Sequence, residues 1–142
     1  METPENFSLI HAHAAGIDCG SREHVAAIGQ HKEHDVKRFG TFTEDLHELC
    51  AWLTQSHIRH VALESTGSYW QVLYFMLYDY GIIPYLIQPA HAKNPTNQKT
   101  DPRDARWLQK LMSCGLLNNS FQPDSETEEL RTLMRERKRL LQ

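Results

Sequence analysis

The chain has 142 residues, of which 40% are hydrophobic and 23% are charged. This size and composition suit one compact domain with a buried core and leave little for a second domain. No apolar stretch approaches the roughly 20 residues of a membrane span, and the acidic, polar N-terminus is unlike a signal peptide. The three cysteines are widely spaced and odd in number, which indicates a reducing compartment, and we expect the cytoplasm.

Charge is unevenly distributed along the chain, whose net charge is −3. Residues 1–90 carry 5 Lys and Arg against 11 Asp and Glu, whereas residues 91–142 carry 10 against 7. A surface that binds phosphate groups is therefore expected in the last third of the chain. The sequence pI near 6.3 argues against a simple basic nucleic-acid binder.

Short apolar runs predict five strands after a polar leader over residues 1–13. Gly40 is expected to mark a bulge in the third strand, and Pro84 indicates that the fifth strand lies at a sheet edge or carries a bulge. The predicted strands span residues 14–18, 25–28, 36–42, 61–64 and 82–88.

Apolar residues at the spacing i, i+3, i+4, i+7 predict helices between the later strands. Thr43 is expected to be the N-cap of the first helix, and Gly81 ends the second. Asp101 is placed as the N-cap of a third helix that runs to about Cys114 and is stopped by Gly115.

The resulting order is three strands, helix, strand, helix, strand, helix. Three leading strands form an antiparallel meander, and the later strands alternate with helices in right-handed crossovers. This order predicts a ribonuclease-H-like α/β fold, a mixed sheet of about five strands flanked by helices, over residues 14–120. Residues 121–142 read as the start of a long C-terminal helix with a leucine stripe, and the absence of a cap at Gln142 suggests a truncated chain.

Four acidic residues occupy positions that suit a metal site. Asp18 and Glu64 each end a short apolar strand, and in an open α/β sheet ligands bind in the crevice beyond the strand ends. Asp101 and Asp104 lie three residues apart at a helix start, so one helix face presents both. Converging carboxylates repel unless a cation neutralises them, and oxygen-only ligands suit Mg²⁺ or Mn²⁺.

Simpler roles exist for each of these acids taken alone. Acids at helix N-termini commonly serve as caps, which is the alternative for Asp101 and Asp104. An acid at a strand end is often only a turn residue, which is the alternative for Asp18 and Glu64. The prediction of a metal site therefore depends on the four acids taken together.

Three motifs occur in an order that resembles one protein family. They are Gly16-Ile17-Asp18, Glu64-Ser65-Thr66-Gly67-Ser68-Tyr69 and Lys99-Thr100-Asp101-Pro102-Arg103-Asp104-Ala105. The chain from about Ala14 to its end is similar to the N-terminal domain of the DEDD transposases, the bridge-RNA-guided recombinases of insertion sequences.

The resemblance implies a RuvC-like fold in which a tetrad of carboxylates binds metal and catalyses DNA cleavage and strand transfer: Asp18, Glu64, Asp101 and Asp104. It implies DNA and a guide RNA as partners. The family also has a second domain with a serine nucleophile, which this sequence lacks, and Arg22 alone represents the basic residue expected after the first acid. The chain by itself is therefore expected to be inactive in strand exchange.

Basic and hydroxyl side chains near the acids are candidates for binding nucleic acid, with a solvated surface or a turn as the alternative role. They are Lys93, Lys99, Arg103, Arg106, Thr66 and Ser68. The final helix resembles the start of a coiled coil that joins the two domains, so a homo-oligomer formed through it is expected.

Two other functions remain open at this point. One is a non-catalytic nucleic-acid-binding or oligomerisation fragment of a decayed transposase. The other is a fragment of an actin-like ATPase or sugar kinase, which shares the sheet order and also begins with an Asp near a Gly turn. Two features argue against the kinase alternative: the chain is short for two lobes, and Gly20-Ser21-Arg22 is a poor phosphate-binding loop.

Overall fold

The structure, a computed structural model, describes residues 11–64, 67–87 and 102–117. Within these residues, five strands and three α-helices follow in the predicted order, with one 3₁₀ turn before the third strand. In chain order they are β1 (Ala14–Cys19), β2 (His24–Ala27), the 3₁₀ turn (Glu33–Asp35), β3 (Val36–Phe39), α1 (Thr43–Gln55), β4 (His60–Glu64), α2 (Gln71–Asp79), β5 (Ile83–Ile87) and α3 (Pro102–Ser113).

The five strands form one mixed sheet in the order β3-β2-β1-β4-β5. The first three strands pair antiparallel, whereas β1 pairs parallel with β4 and β4 pairs parallel with β5. This confirms the predicted ribonuclease-H-like order. It also places Pro84 in a strand at the sheet edge, where its missing N–H leaves no gap in the ladder.

The sheet is covered on both faces, and all six residues of the central strand β1 are buried. Ala15, Ile17 and Cys19 face a core that contains the apolar stripes of α1 and α2. Ala14 lies on the other face, in a cluster with Leu108 of α3. Since successive side chains of a strand point to opposite faces, the even-numbered residues of β1 are the ones that α3 covers.

Three details of the sequence prediction around α1 are corrected. The strand β3 ends at Phe39, so Gly40 lies beyond it and marks no bulge. Gly40 is instead packed against the Asp45 carboxylate, which a Cβ at position 40 would meet. Helix α1 begins at Thr43 with Phe42 at the N-cap position, and Asp45 Oδ2 accepts the Phe42 N–H at 3.1 Å. A carboxylate in the first turn thus caps the helix in place of the Thr43 hydroxyl.

Glycines end α2 and α3 as predicted. Gly81 has φ of 80° and Gly115 has φ of 68°, a conformation that residues with a Cβ rarely adopt. The Ile82 N–H reaches back to the Leu77 carbonyl, and the Leu116 N–H to the Leu111 carbonyl, each at 3.0 Å. Among the described residues, no helix has the length and apolar character needed to cross a membrane.

Several predictions fall outside the described residues. These are most of the polar leader, the end of the domain near residue 120 and the C-terminal helix over 121–142 with its leucine stripe.

Candidate active site

Two of the predicted acids lie side by side at one end of the sheet. The parallel register of β1 and β4 places Ile17 opposite Leu63, so the next residues along both strands are Asp18 and Glu64. Neighbouring strands are about 4.8 Å apart, and by alternation both side chains belong to the sheet face that α3 covers. Asp18 is buried, with 7% of its surface exposed, and Glu64 is half-buried.

The electrostatic surroundings of Cys19 show that both carboxylates lie near the end of β1. Burial raises the pKa of the Cys19 thiol far above its usual value, and the negative charges of Asp18 and Glu64 raise that pKa further. Burial and the neighbouring acids therefore keep Cys19 protonated and disfavour it as a nucleophile.

Helix α3 runs antiparallel to β1 and brings its N-terminus to the same end of the sheet. Gly16 lies against Ala105, the Ala14 carbonyl accepts a hydrogen bond from Gln109, and the His11 N–H donates to the Ser113 carbonyl. Residue numbers therefore rise along the helix as they fall along the strand. The first turn of α3, which contains Asp104, lies at the end of β1 where Asp18 is found.

Three of the four predicted metal ligands belong to the described residues. Asp18, Glu64 and Asp104 lie toward the same end of the sheet on three elements, whereas Asp101 lies outside the described residues. Across residues 11–64, 67–87 and 102–117, no three His, Cys, Asp or Glu side chains are grouped so that they could hold a metal ion. All four acids therefore remain predicted ligands, and the metal site remains a prediction.

The candidate nucleic-acid residues have different surroundings. Arg103 is exposed in the first turn of α3, and Ser68 is exposed in the turn after β4, where its carbonyl accepts the Gln71 N–H at 3.3 Å. The predicted phosphate ligands Thr66, Lys93 and Lys99 lie outside the described residues.

Arg106 was predicted to bind phosphate, but the structure gives its guanidinium a different set of partners. Nη1 donates to the Gly29 carbonyl at 2.9 Å and Nη2 donates to the Lys32 carbonyl at 2.8 Å. Both acceptors belong to the loop between β2 and β3. No local pattern signals the role of Gly29, Gln30 or Gln109, because Gly29 and Gln30 meet Arg106, and Gln30 meets Gln109, only through the fold.

A ribonuclease-H-like sheet with acids at the ends of β1 and β4, and a further acid at the start of α3, defines a class of nucleic-acid-processing domains. The family model of IS110-type DEDD transposases matches residues 15–142, and the chain belongs to this transposase family. Membership implies a transposase-type function and DNA as a partner. The search among curated proteins returned no match.

Proposed function

We propose that this chain forms the carboxylate part of a metal-dependent DNA-cleavage site. In this proposal the metal ligands and catalytic groups are Asp18, Glu64, Asp101 and Asp104. The observation that carries it is the adjacency of Asp18 and Glu64 on parallel strands, on the sheet face whose covering helix carries Asp104 in its first turn. The family match supports the same assignment.

The chemistry of the donor set fits Mg²⁺ or Mn²⁺. All four side chains offer carboxylate oxygens, which these hard cations prefer to nitrogen or sulfur ligands. Burying Asp18 beside Glu64 costs free energy unless positive charge or hydrogen bonds compensate. A divalent cation held by these carboxylates would supply such compensation, and it would supply Lewis-acid chemistry for the cleavage of a phosphodiester.

The protein's own contribution is position and charge. Burial of Asp18 in a close-packed strand end restricts its rotamer, so that its carboxylate presents oxygens in a fixed direction. Arg103, exposed beside Asp104, provides a positive charge for a DNA phosphate near the acids. Lys93, Lys99, Thr66 and Ser68 complete the proposed phosphate contacts.

The proposal also includes an RNA partner, subunit association and a further domain. A guide RNA that selects the DNA target, association of subunits through residues 121–142 and a serine-bearing domain that completes strand exchange all follow from the resemblance described above. The transposase match favours this reading over the actin-like or sugar-kinase alternative.

Titration calorimetry of Mn²⁺ into the wild type and Asp18→Asn tests the metal site. Asn keeps the shape of Asp but loses its charge, so we expect weak binding that the substitution reduces at least about tenfold. Glu44→Gln is the matched control, because Glu44 is exposed on α1, which packs on the opposite face of the sheet. Circular dichroism verifies that the variants remain folded.

Equal Mn²⁺ affinity in the wild type and Asp18→Asn would overturn the metal site. If DNA binding that falls steeply with salt remained in that case, the non-catalytic binding fragment would be the better description. ATP binding that Asp18→Asn abolishes would instead favour the kinase alternative.

A further inference from the structure

A set of hydrogen bonds joins α3 to the loop between β2 and β3, and we name it the α3 latch: Gly29, Gln30, Lys32, Arg106 and Gln109. Arg106 donates from two guanidinium nitrogens to the carbonyls of Gly29 and Lys32. In return, Gln30 Nε2 donates to the Arg106 carbonyl at 2.7 Å. The helix and the loop therefore each contribute a side chain that donates hydrogen bonds to the backbone of the other.

Gln109 extends the latch to the centre of the sheet. Its Oε1 lies 2.5 Å from Gln30 Nε2, and its own Nε2 donates to the Ala14 carbonyl of β1 at 3.2 Å. Only 8% of the Gln109 surface is exposed. Because a buried amide costs free energy when its hydrogen bonds are lost, this arrangement favours one placement of α3 against β1.

The latch lies on the flank of α3 opposite to Asp104. Asp104 and Arg106 are two positions apart, which is a rotation of about 200° around a helix. Asp104 lies on the same side of α3 as Leu108, and Leu108 belongs to a core cluster with Ala62 of β4. Ala105 belongs instead to a cluster with Val25 of β2. Fixing the β2 flank of α3 therefore sets the rotation of the helix about its axis, and with it the direction of the Asp104 flank.

We propose that Arg106 is a positioning residue for the carboxylate site: it clamps α3 to the β2–β3 loop and so orients Asp104 toward the end of the sheet where Asp18 and Glu64 lie. This inference rests on the proposed function. It is an alternative to the sequence expectation that Arg106 binds phosphate directly, which stays a prediction.

The guanidinium is suited to this task in a way that an ammonium is not. Its planar fork donates to two carbonyls at once from fixed directions, whereas the single Nζ of a lysine offers no such rigid pair of donors. Arg106→Lys keeps the positive charge but loses the rigid clamp. The variant therefore separates a role in geometry from a role in phosphate attraction.

The test measures Mn²⁺ affinity and DNA affinity against salt for the wild type, Arg106→Ala and Arg106→Lys. We expect both variants to bind Mn²⁺ at least about threefold more weakly, because a misplaced carboxylate loses its ligand geometry. The slope of log affinity for DNA against log salt is expected to stay at the wild-type value in both. Arg103→Ala, by contrast, should reduce that slope by about one.

Two controls separate positioning from loss of stability. Arg59→Ala removes an exposed arginine before β4, and should leave Mn²⁺ affinity unchanged. Asp45→Ala removes the acceptor at the start of α1, which lowers the free energy of unfolding without touching α3. If Asp45→Ala weakened Mn²⁺ binding as much as Arg106→Ala does, the effect would be one of general stability and the positioning role would be wrong.

The outcomes also distinguish this inference from the proposed function. Wild-type Mn²⁺ affinity in Arg106→Ala, together with loss of binding in Asp18→Asn, would overturn the positioning role alone. Retained Mn²⁺ affinity and DNA salt slope in Arg106→Lys, with both reduced in Arg106→Ala, would restore the phosphate-contact role. Absence of Mn²⁺ binding in the wild type would overturn both proposals.

Discussion

The carbonyl oxygen of Ala105 occupies the space that a side chain at Gly16 would need. A Cβ added at position 16 would lie 2.7 Å from Leu108 Cβ, and closer still to the Ala105 oxygen and the Gln109 nitrogen. Two of the family-like motifs, the one ending in Asp18 and the one ending in Ala105, are thus in backbone contact. Glycine is required in the first motif because it allows α3 to approach the strand that ends in Asp18.

Gly16→Ala is expected to displace α3 and to lower the free energy of unfolding by about 1–3 kcal/mol, because the atoms it meets are mainly backbone and cannot move aside cheaply. If the carboxylate site forms as proposed, the displacement also weakens Mn²⁺ binding, since Asp104 moves with the helix. Urea denaturation and calorimetric titration measure the two effects.

Gly81→Ala is the control for that experiment. Gly81 has φ of 80° and no atom within 4 Å of an added Cβ, so alanine there strains the backbone without pushing on α3. It should lower stability and keep the Mn²⁺ affinity. A Gly16→Ala protein as stable as the wild type would contradict the close approach of α3 to β1.

The buried histidine of β2 predicts a loss of stability in acid. His24 is 1% exposed, and burial lowers its pKa from 6.5 to about 4. The Gly20 N–H donates to its Nδ1 at 3.3 Å, which requires that nitrogen to be unprotonated. Between these two pKa values the unfolded chain binds a proton that the folded protein does not, so stability is complete above pH 6.5 and falls as the pH approaches 4.

This group contributes at most roughly 3 kcal/mol of pH-dependent stability. Urea denaturation at pH 7.5, 6, 5 and 4 measures it as the difference between the wild type and His24→Gln, which carries no titrating ring. We expect the two curves of unfolding free energy against pH to converge toward low pH. The curve of His34→Gln, a substitution at an exposed position, should have the same shape as that of the wild type. A His24→Gln curve that stays parallel to the wild-type curve would refute the assignment.

Cys19 is expected to resist alkylation in the folded protein. Burial, followed by the charges of Asp18 and Glu64, raises its pKa, and the thiolate is the reactive form. Iodoacetamide at pH 8, with peptide-level mass spectrometry, should modify Cys19 much more slowly in the native state than in urea. Rapid native-state modification would mean that Cys19 is not enclosed beside the two acids.

Periodicity predicted most of the architecture because each pattern reflects one buried face. The stripe from Leu46 to Leu53 lies in the core that α1 covers, and the apolar run before Glu64 is the buried strand β4. The ends of elements were less accurate. Whether Thr43 or Phe42 occupies the N-cap position depends on where the backbone turns helical, and here Phe42 is extended with ψ of 159° while Asp45 accepts its N–H.

The sequence by itself determined the order of strands and helices, the acids that end β1 and β4, and the family to which the chain belongs, because these are encoded in local patterns and short motifs. Only the tertiary structure decided the partners of Arg106 and the need for glycine at position 16. Arg106 and Gly29 are 77 residues apart, and their hydrogen bond exists only because α3 folds back across β1. A basic residue near acids has the same local appearance whether its guanidinium meets a phosphate or a backbone carbonyl.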